Sequence, residues 1–99
     1  MTEGLELPAI LDLVAAPGLL EAFTGRRGRA LVVSGAGVQR LGAQCLQVLL
    51  AASRAWAADD VPFAVQALSE EFAANLELMG ARAADLAHRA PQAGKEFGE

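Results

Sequence analysis

Residues 30–56, ALVVSGAGVQRLGAQCLQVLLAASRAW, decide the fold of this chain. The apolar run Ala30–Val33 contains β-branched residues and is followed by a glycine-rich stretch, which predicts a strand covered on both faces. From about Leu41 to about Ala58, the apolar residues follow the three-four spacing of a helix with one buried face. The predicted buried residues are Leu46, Leu49, Leu50, Ser53 and Trp56 or Ala57. The stretch is therefore predicted to be a strand, a glycine-bearing turn and a helix.

The chain before this stretch predicts one further strand and one further helix. Leu5–Leu11 is predicted to be a strand that Pro8 interrupts. Pro8 should confine this strand to a sheet edge or place a bulge in it, because proline cannot donate to the ladder. Pro17 suits the first turn of a helix, and Gly25 suits its end.

The chain after it predicts a third strand at Val61–Ala67, and then a helix that Ser69 caps and Gly80 closes. Residues 81–90 predict a short helix, and residues 91–99 a flexible tail. This alternation is typical of an α/β fold with a small, mostly parallel β-sheet and crossover helices. We predict one domain over residues 1–90. Its functional edge should be Ser34–Gln44, beyond the carboxyl end of the second strand.

The composition limits the class of protein. The chain is 54% hydrophobic and 20% charged with a formal net charge of −4, which predicts a compact domain without general attraction for nucleic acid. The basic cluster of Arg26, Arg27 and Arg29 is predicted to be a solvated turn. A single cysteine, no apolar run of membrane length and no visible secretory signal favour a cytoplasmic protein that does not insert into membranes.

Glycines between the second strand and its helix superficially resemble a dinucleotide-binding loop. Gly35 and Gly37 have the fingerprint spacing, but Gly42 comes one residue too late. The third strand also ends without the acidic residue that would hold a ribose hydroxyl. A nucleotide-binding or small-ligand-binding module is therefore kept only as an alternative.

Neither metal ligands nor a catalytic group can be recognised in the sequence. His88 stands alone, and Cys45 has no partner at ligand spacing and no evident base, so it is predicted to be a packing residue. Asp59 and Asp60 are predicted to lie in a solvated turn, and Trp56 in the core. We therefore predict that the protein is not an enzyme and has no cofactor or metal.

Three segments in their order and spacing resemble the STAS domain, which is named for sulphate transporters and anti-sigma factor antagonists. They are LPAILD, LVVSGAGVQRLGAQCLQVLL and SEEFAANLELMG, and the resemblance covers roughly Leu5 to Gly80. The family typically has a strand ending in L-D, a second strand leading into V-x-x-L/M-D-S-S-G-L, and a later helix that ends at glycine. The resemblance implies a STAS-like fold without the family's usual additional N-terminal strand.

The chain departs from the family where partner-switching members are phosphorylated. The family's acidic residue and its two hydroxyl residues fall at Gly42, Ala43 and Gln44, and its following glycine falls at Cys45. An aspartate that is common at the end of the second strand is Ser34 here. The resemblance thus implies a docking module that lacks the usual phosphoacceptor, with Ser34 as the remaining phosphorylation candidate.

The predicted function is regulatory protein–protein interaction of the anti-sigma-factor-antagonist type. The predicted docking residues are Val38, Arg40, Leu41, Ala43 and Gln44. Val38 and Leu41 should offer an apolar contact, and the start of the following helix should favour a partner's carboxylate or phosphate. The expected partner is an anti-sigma factor of the serine-kinase type. A subunit bound to the ATPase of a lipid-transport ABC system is the alternative, and a homodimer is also compatible.

Overall fold

The computed structural model describes residues 2–86, which form parallel strands with helices between them. The elements in chain order are β1 (Glu3–Glu6), β2 (Ile10–Leu11), α1 (Ala16–Thr24), β3 (Leu31–Ser34), β4 (Arg40–Leu41), α2 (Ala43–Ala58), β5 (Phe63–Gln66), α3 (Glu70–Leu78) and a 3-10 helix (Ala83–Leu86). The predicted α/β class with a small, mostly parallel sheet is confirmed.

The main sheet has three parallel strands in the order β1-β3-β5, so β3 lies in the centre. Leu31 is in register with Glu3 on one side and with Phe63 on the other. β2 and β4 form a separate parallel pair of two residues each, in which Leu11 is opposite Leu41. This second pair places the start of α2 beside the turn before α1.

The predicted first strand is divided in two around Pro8. β1 ends at Glu6, although the Leu7 amide still donates to the Ser34 carbonyl at 3.0 Å. The chain then leaves the main sheet and pairs again at Ile10, in the second sheet. The predicted edge position is correct for β1, and the predicted interruption of the strand at Pro8 is confirmed, because proline cannot donate to the ladder.

The second strand is not buried on both faces, which corrects an expectation. Leu31 and Val33 are buried, but Val32 and Ser34 are only half-buried. Within residues 2–86, the helices bury one face of the sheet and leave the other partly open. A two-layer arrangement of this kind gives the alternating pattern that a half-covered strand shows.

Three aromatic rings form the centre of the core. Phe23 of α1 lies 6.1 Å from Trp56 of α2 and 5.9 Å from Phe63 of β5 between ring centroids, both in edge-to-face geometry. The Trp56 indole N–H donates to the Arg29 carbonyl at 2.7 Å, which satisfies its one polar atom. The prediction that Trp56 is a core residue is confirmed.

The helix ends follow the sequence signals, except at the start of α2. Ser69 caps α3, and Gly80 follows that helix with a φ of +78°, as predicted. α2 begins at Ala43 and not at Leu41, because Leu41 belongs to β4. The predicted third strand is shortened at both ends, to β5.

Two predicted C-terminal features lie largely outside the described residues. Of the short helix predicted over residues 81–90, the structure shows the 3-10 helix Ala83–Leu86. The remainder of that segment and the predicted tail at residues 91–99 lie beyond residue 86. In the predicted buried face of α2, Leu50 is half-buried and Ala57 is exposed, whereas Cys45 and Ala52 are buried as well.

Candidate functional site

The segment that joins the central strand to α2 is called here the entry segment (residues 35–44). It leaves the carboxyl end of β3, contributes β4 to the second sheet and supplies the first turn of α2. In open parallel sheets, this end of the strands is the usual place for recognition. The entry segment contains all five predicted docking residues.

The structure divides those five residues into two groups. Arg40, Ala43 and Gln44 are exposed. Val38 retains 1% and Leu41 4% of its accessible surface, so the expectation that these two offer an exposed apolar contact is wrong. For Leu41, pairing of β4 with β2 explains the burial, since successive strand residues point to opposite sides: Leu41, opposite Leu11, turns inward while Arg40 turns outward.

Backbone hydrogen bonds hold the entry segment at several points. The amides of Gln39 and Arg40 both donate to the Ala9 carbonyl, at 2.7 and 3.1 Å, and the Gly42 amide donates to the Leu11 carbonyl at 2.8 Å. These bonds fix the exposed side chain of Arg40 on a well-defined backbone. A docking residue on such a backbone loses little freedom when a partner binds.

Two side chains of α3 complete this framework. The Ser69 hydroxyl donates to the Val38 carbonyl at 2.5 Å and accepts from the Phe72 amide at 3.0 Å. The Asn75 side-chain oxygen accepts from the Leu41 amide at 2.8 Å. The sequence identified Ser69 as a cap but gave no sign of its second bond, and it gave no sign of Asn75, because both bonds join residues more than 30 positions apart.

Gly35 has a packing explanation. A Cβ atom at this position would overlap the ring of Phe72, which is fully buried. Gly37, by contrast, has open space where a Cβ would lie. Packing against α3 therefore explains the first glycine of the apparent nucleotide motif, and nucleotide binding is not needed to explain it.

The start of α2 lacks a side-chain cap within the described part of the chain. Gly42 is the N-cap residue and has extended backbone angles, and no side chain within residues 2–86 caps the helix there. Ala43 and Gln44, which follow it, are exposed and have no hydroxyl group. Unpaired amides at a helix start favour negatively charged groups through the helix dipole. The exposed residue Arg40 thus comes two positions before the N-cap of a helix end that favours negative charge.

Ser34, the remaining phosphorylation candidate, and Cys45 differ in their burial. Ser34 is half-buried, and its hydroxyl oxygen lies 3.4 Å from the Ala36 amide as acceptor. Cys45 is fully buried, and its thiol donates to the Asp12 carbonyl at 3.3 Å. Burial raises the pKa of the Cys45 thiol, and the nearby Asp12 carboxylate raises that pKa further. The packing role predicted for Cys45 is confirmed.

The basic cluster is occupied by ion pairs at the other end of the sheet. Arg29 lies 2.6 Å and Arg26 lies 3.4 Å from carboxylate oxygens of Glu3. Arg27 makes two hydrogen bonds to Asp59, at 2.8 and 3.1 Å, and these bonds lower the pKa of the Asp59 carboxyl. The cluster thus lies in a turn and pairs with Glu3 of β1 and with Asp59, which follows α2.

Residues 2–86 offer neither a metal site nor a membrane span. That part of the chain contains no group of three or more His, Cys, Asp or Glu side chains placed to hold a metal ion. It also contains no helix that is both long and apolar enough to cross a membrane. His88 lies outside the described residues.

No family model, no characterised protein and no solved structure is significantly similar to the chain. A functional proposal therefore rests on the geometry of the entry segment and on the sequence motifs.

Proposed function

We propose that the protein is a cytoplasmic docking module of the STAS type that acts by binding another protein. Its docking surface is centred on Arg40, Ala43 and Gln44. One observation carries the proposal: these three side chains are exposed on a segment whose backbone is held by hydrogen bonds. These bonds join the segment to β2, to the turn before β2 and to α3. Loops that a rigid scaffold positions in this way carry binding residues disproportionately often.

The electrostatics of this surface favour an acidic group on the partner. Arg40 supplies a full positive charge, and the free amides at the start of α2 supply partial ones. A carboxylate that bridges them would gain charge-assisted hydrogen bonds, which are about twice as strong as neutral ones. An anti-sigma factor of the serine-kinase type, offering a carboxylate to this surface, is the partner class that we propose.

The absence of a hydroxyl at Ala43 and Gln44 bears on whether phosphorylation can control the proposed interaction. A hydroxyl-bearing relative could accept phosphate there and release its partner by charge repulsion. This chain has no acceptor at either position, so we propose docking that phosphorylation at the helix start does not switch. A subunit that stays bound permanently would also need no phosphorylation site. For this reason the ATPase of a lipid-transport ABC system is the second candidate partner.

Site-specific photo-crosslinking of the full chain tests the proposal. A benzophenone amino acid at Gln44 should capture one protein in cells of the source organism, and mass spectrometry should identify it as a kinase-type anti-sigma factor. The matched control carries the benzophenone at Glu77, which is also exposed but lies on α3. Capture of a transporter ATPase from Gln44 would show that the proposed partner class is wrong, and it would support the proposed docking surface. Equal capture from both positions, or capture from neither, would overturn the proposal.

A further inference from the structure

The turn between β2 and α1 carries apolar side chains at its tip. The Ala15 amide donates to the Asp12 carbonyl at 3.1 Å and to the Asp12 carboxylate at 3.0 Å, which closes the turn. Leu13 and Val14 are the two central residues of this turn, and they are 68% and 86% exposed. Gly, Pro, Asn, Asp and Ser are the usual residues at such positions. Packing within residues 2–86 therefore does not explain why this tip is apolar.

Exposed apolar side chains are concentrated around this turn. In residues 2–86, five large apolar side chains are exposed, and four of them lie between β2 and the middle of α1. These four are called here the turn patch (Ile10, Leu13, Val14 and Leu20). Exposed apolar side chains that occur singly are ordinary, but a group of neighbours is typical of an interaction site.

An open cavity connects the turn patch with the docking surface. It has a volume of about 350 Å³, and Leu13 and Leu20 of the turn patch line it. Gln44 and Val48 of α2 also line it, and Gln44 is the only polar side chain among the lining residues. Because Gln44 belongs to the proposed docking surface, a partner that binds there reaches this cavity.

The pairing of β2 with β4 joins the turn patch to Arg40 as well. Ile10 is in register with Arg40, and both side chains are exposed. Residues in register in a parallel pair lie on the same side of the ladder, on strands about 4.8 Å apart. The turn patch and the docking surface are therefore continuous, with apolar side chains beside a positive charge. They supply the exposed apolar contact that Val38 and Leu41, being buried, cannot offer.

Hydrogen bonds tie the turn to the start of α2. The Gly42 amide donates to the Leu11 carbonyl at 2.8 Å, and the Cys45 thiol donates to the Asp12 carbonyl at 3.3 Å. The turn patch and the first turn of α2 thus keep a defined relative position. A surface that is organised before binding loses little conformational entropy when a partner binds.

We propose that the partner of the entry segment is an acidic protein segment that places a large apolar side chain in this cavity, beside a carboxylate that reaches Arg40 and the start of α2. The inference rests on the proposed docking function and specifies the part of the partner that binds. Continuity of the two surfaces favours a single occupant, and the charge of Arg40 favours an acidic one. The net charge of −4 disfavours an anionic membrane surface as the occupant.

Calorimetric titration with the purified partner captured through Gln44 tests the apolar contact. Leu13→Ser should weaken binding at least about tenfold, because it removes an apolar wall of the cavity. The loss should be the same at about 50 and about 500 mM NaCl, since an apolar contact has no charge for salt to screen. The matched control is Leu78→Ser, because Leu78 is 85% exposed on α3 and does not line the cavity. This control should weaken binding less than about threefold.

Circular dichroism should show that both leucine variants remain folded. Equal losses in the two variants, or no loss in Leu13→Ser, would overturn the inference. Because the partner was captured through Gln44, such a result would leave the docking surface of the entry segment in place.

A small probe tests the same surface without a partner protein. Naphthalene-2-carboxylate carries an aromatic ring beside a carboxylate, and its length is comparable to the rise of about 6 Å from Gln44 to Val48 along α2. In amide correlation spectra of the full chain, it should shift the signals of Leu13, Gln44 and Val48, with a dissociation constant on the order of 1 mM. The neutral naphthalene-2-carboxamide should bind at least about threefold more weakly, because it lacks the charge that favours Arg40.

The probe separates failure of this inference from failure of the proposed function. No shift of these signals at about 10 mM probe, or shifts that Leu13→Ser leaves unchanged, would overturn the inference without affecting the capture of a partner from Gln44. If the probe binds but Gln44 captures no partner, the proposed docking function is wrong, and the assignment of a protein occupant is wrong with it.

Discussion

The hydroxyl of Ser69 joins the cap of one helix to the loop that leads into another, because it donates to the Val38 carbonyl at 2.5 Å while it accepts from the Phe72 amide. Val38 itself is buried, so its carbonyl depends on this bond for satisfaction. A single side chain thereby couples the stability of α3 to the position of the entry segment.

Replacement of Ser69 by alanine should show both roles. We expect a loss of about 2 kcal/mol in the free energy of unfolding, about half from the helix cap and half from the unsatisfied carbonyl. Urea denaturation measures the loss, and amide exchange at Phe72 should accelerate more than global unfolding explains. Ser69→Thr keeps the hydroxyl and serves as the control, with an expected loss below about 1 kcal/mol. A similar loss in both variants would show that the hydroxyl is not the cause.

The contact between Gly35 and Phe72 gives a second prediction. Gly35→Ala places a Cβ inside the Phe72 ring, and it should destabilise the fold by about 1–3 kcal/mol, as overpacking of a core does. Gly37→Ala is the control, because nothing lies near the added atom and the change should be within about 0.5 kcal/mol. The double variant Gly35→Ala/Phe72→Leu should lose less stability than the sum of the losses measured for the two single variants. Additive costs would contradict the overlap.

The sequence predicted the order of the elements and several individual roles. Strand and helix periodicity identified the α/β fold, the cap at Ser69 and the burial of Trp56, because these depend on local pattern and side-chain chemistry. It misplaced Leu41 in the helix because Gly42 is a weak N-cap signal, and because the two-residue pairing with Leu11 is a long-range contact that leaves no periodicity. The bond from Ser69 to the Val38 carbonyl likewise joins residues more than 30 positions apart and leaves no local pattern.

Ala67 has an unusual backbone conformation at the end of β5. Its φ is +53°, in the left-handed region where a Cβ costs about 1–2 kcal/mol. Ala67→Gly removes that cost but adds freedom to the unfolded chain, so we expect a net stabilisation of about 0.5 kcal/mol. Ala73→Gly, at an exposed position inside α3, should instead destabilise by about 1 kcal/mol. Thermal denaturation of both variants under one condition should give opposite signs, and equal signs would contradict the assignment.

The buried thiol gives a prediction about pH. Burial raises the pKa of Cys45 in the folded state, so the folded protein favours the protonated thiol. The stability that this preference contributes is complete at pH values below the pKa of the thiol in the unfolded chain. That contribution is lost progressively as the pH rises from about 8.5 through the folded pKa. The loss of stability above about pH 8.5 should therefore be smaller in Cys45→Ala than in the parent. Since the chain has one cysteine, Ellman's reagent reports it alone and should react quickly only after urea is added. Fast labelling of the folded protein would show that the thiol is accessible.

The last prediction concerns the docking surface and uses a partner captured through Gln44. Gln44→Asp adds a negative charge in the first turn of α2, where a carboxylate of the partner is proposed to bind. The substitution should lower partner affinity at least about tenfold, which is 1.4 kcal/mol, by repelling that carboxylate and competing for the helix-start amides. The melting temperature should change little, because Gln44 is exposed and a negative charge there suits the helix dipole.

The matched control for this variant is Gln47→Asp, which makes the same substitution one turn later on the exposed side of α2. Both glutamines are exposed on α2, so a general effect of the added charge is common to the two variants. Isothermal titration against the purified partner should therefore show a large loss for Gln44→Asp and a loss below about threefold for Gln47→Asp, as expected where the partner's carboxylate is a turn away. If the two variants lose equal affinity, the effect is one of general charge. If neither loses affinity, the partner binds elsewhere and the docking surface assigned to Arg40, Ala43 and Gln44 is wrong.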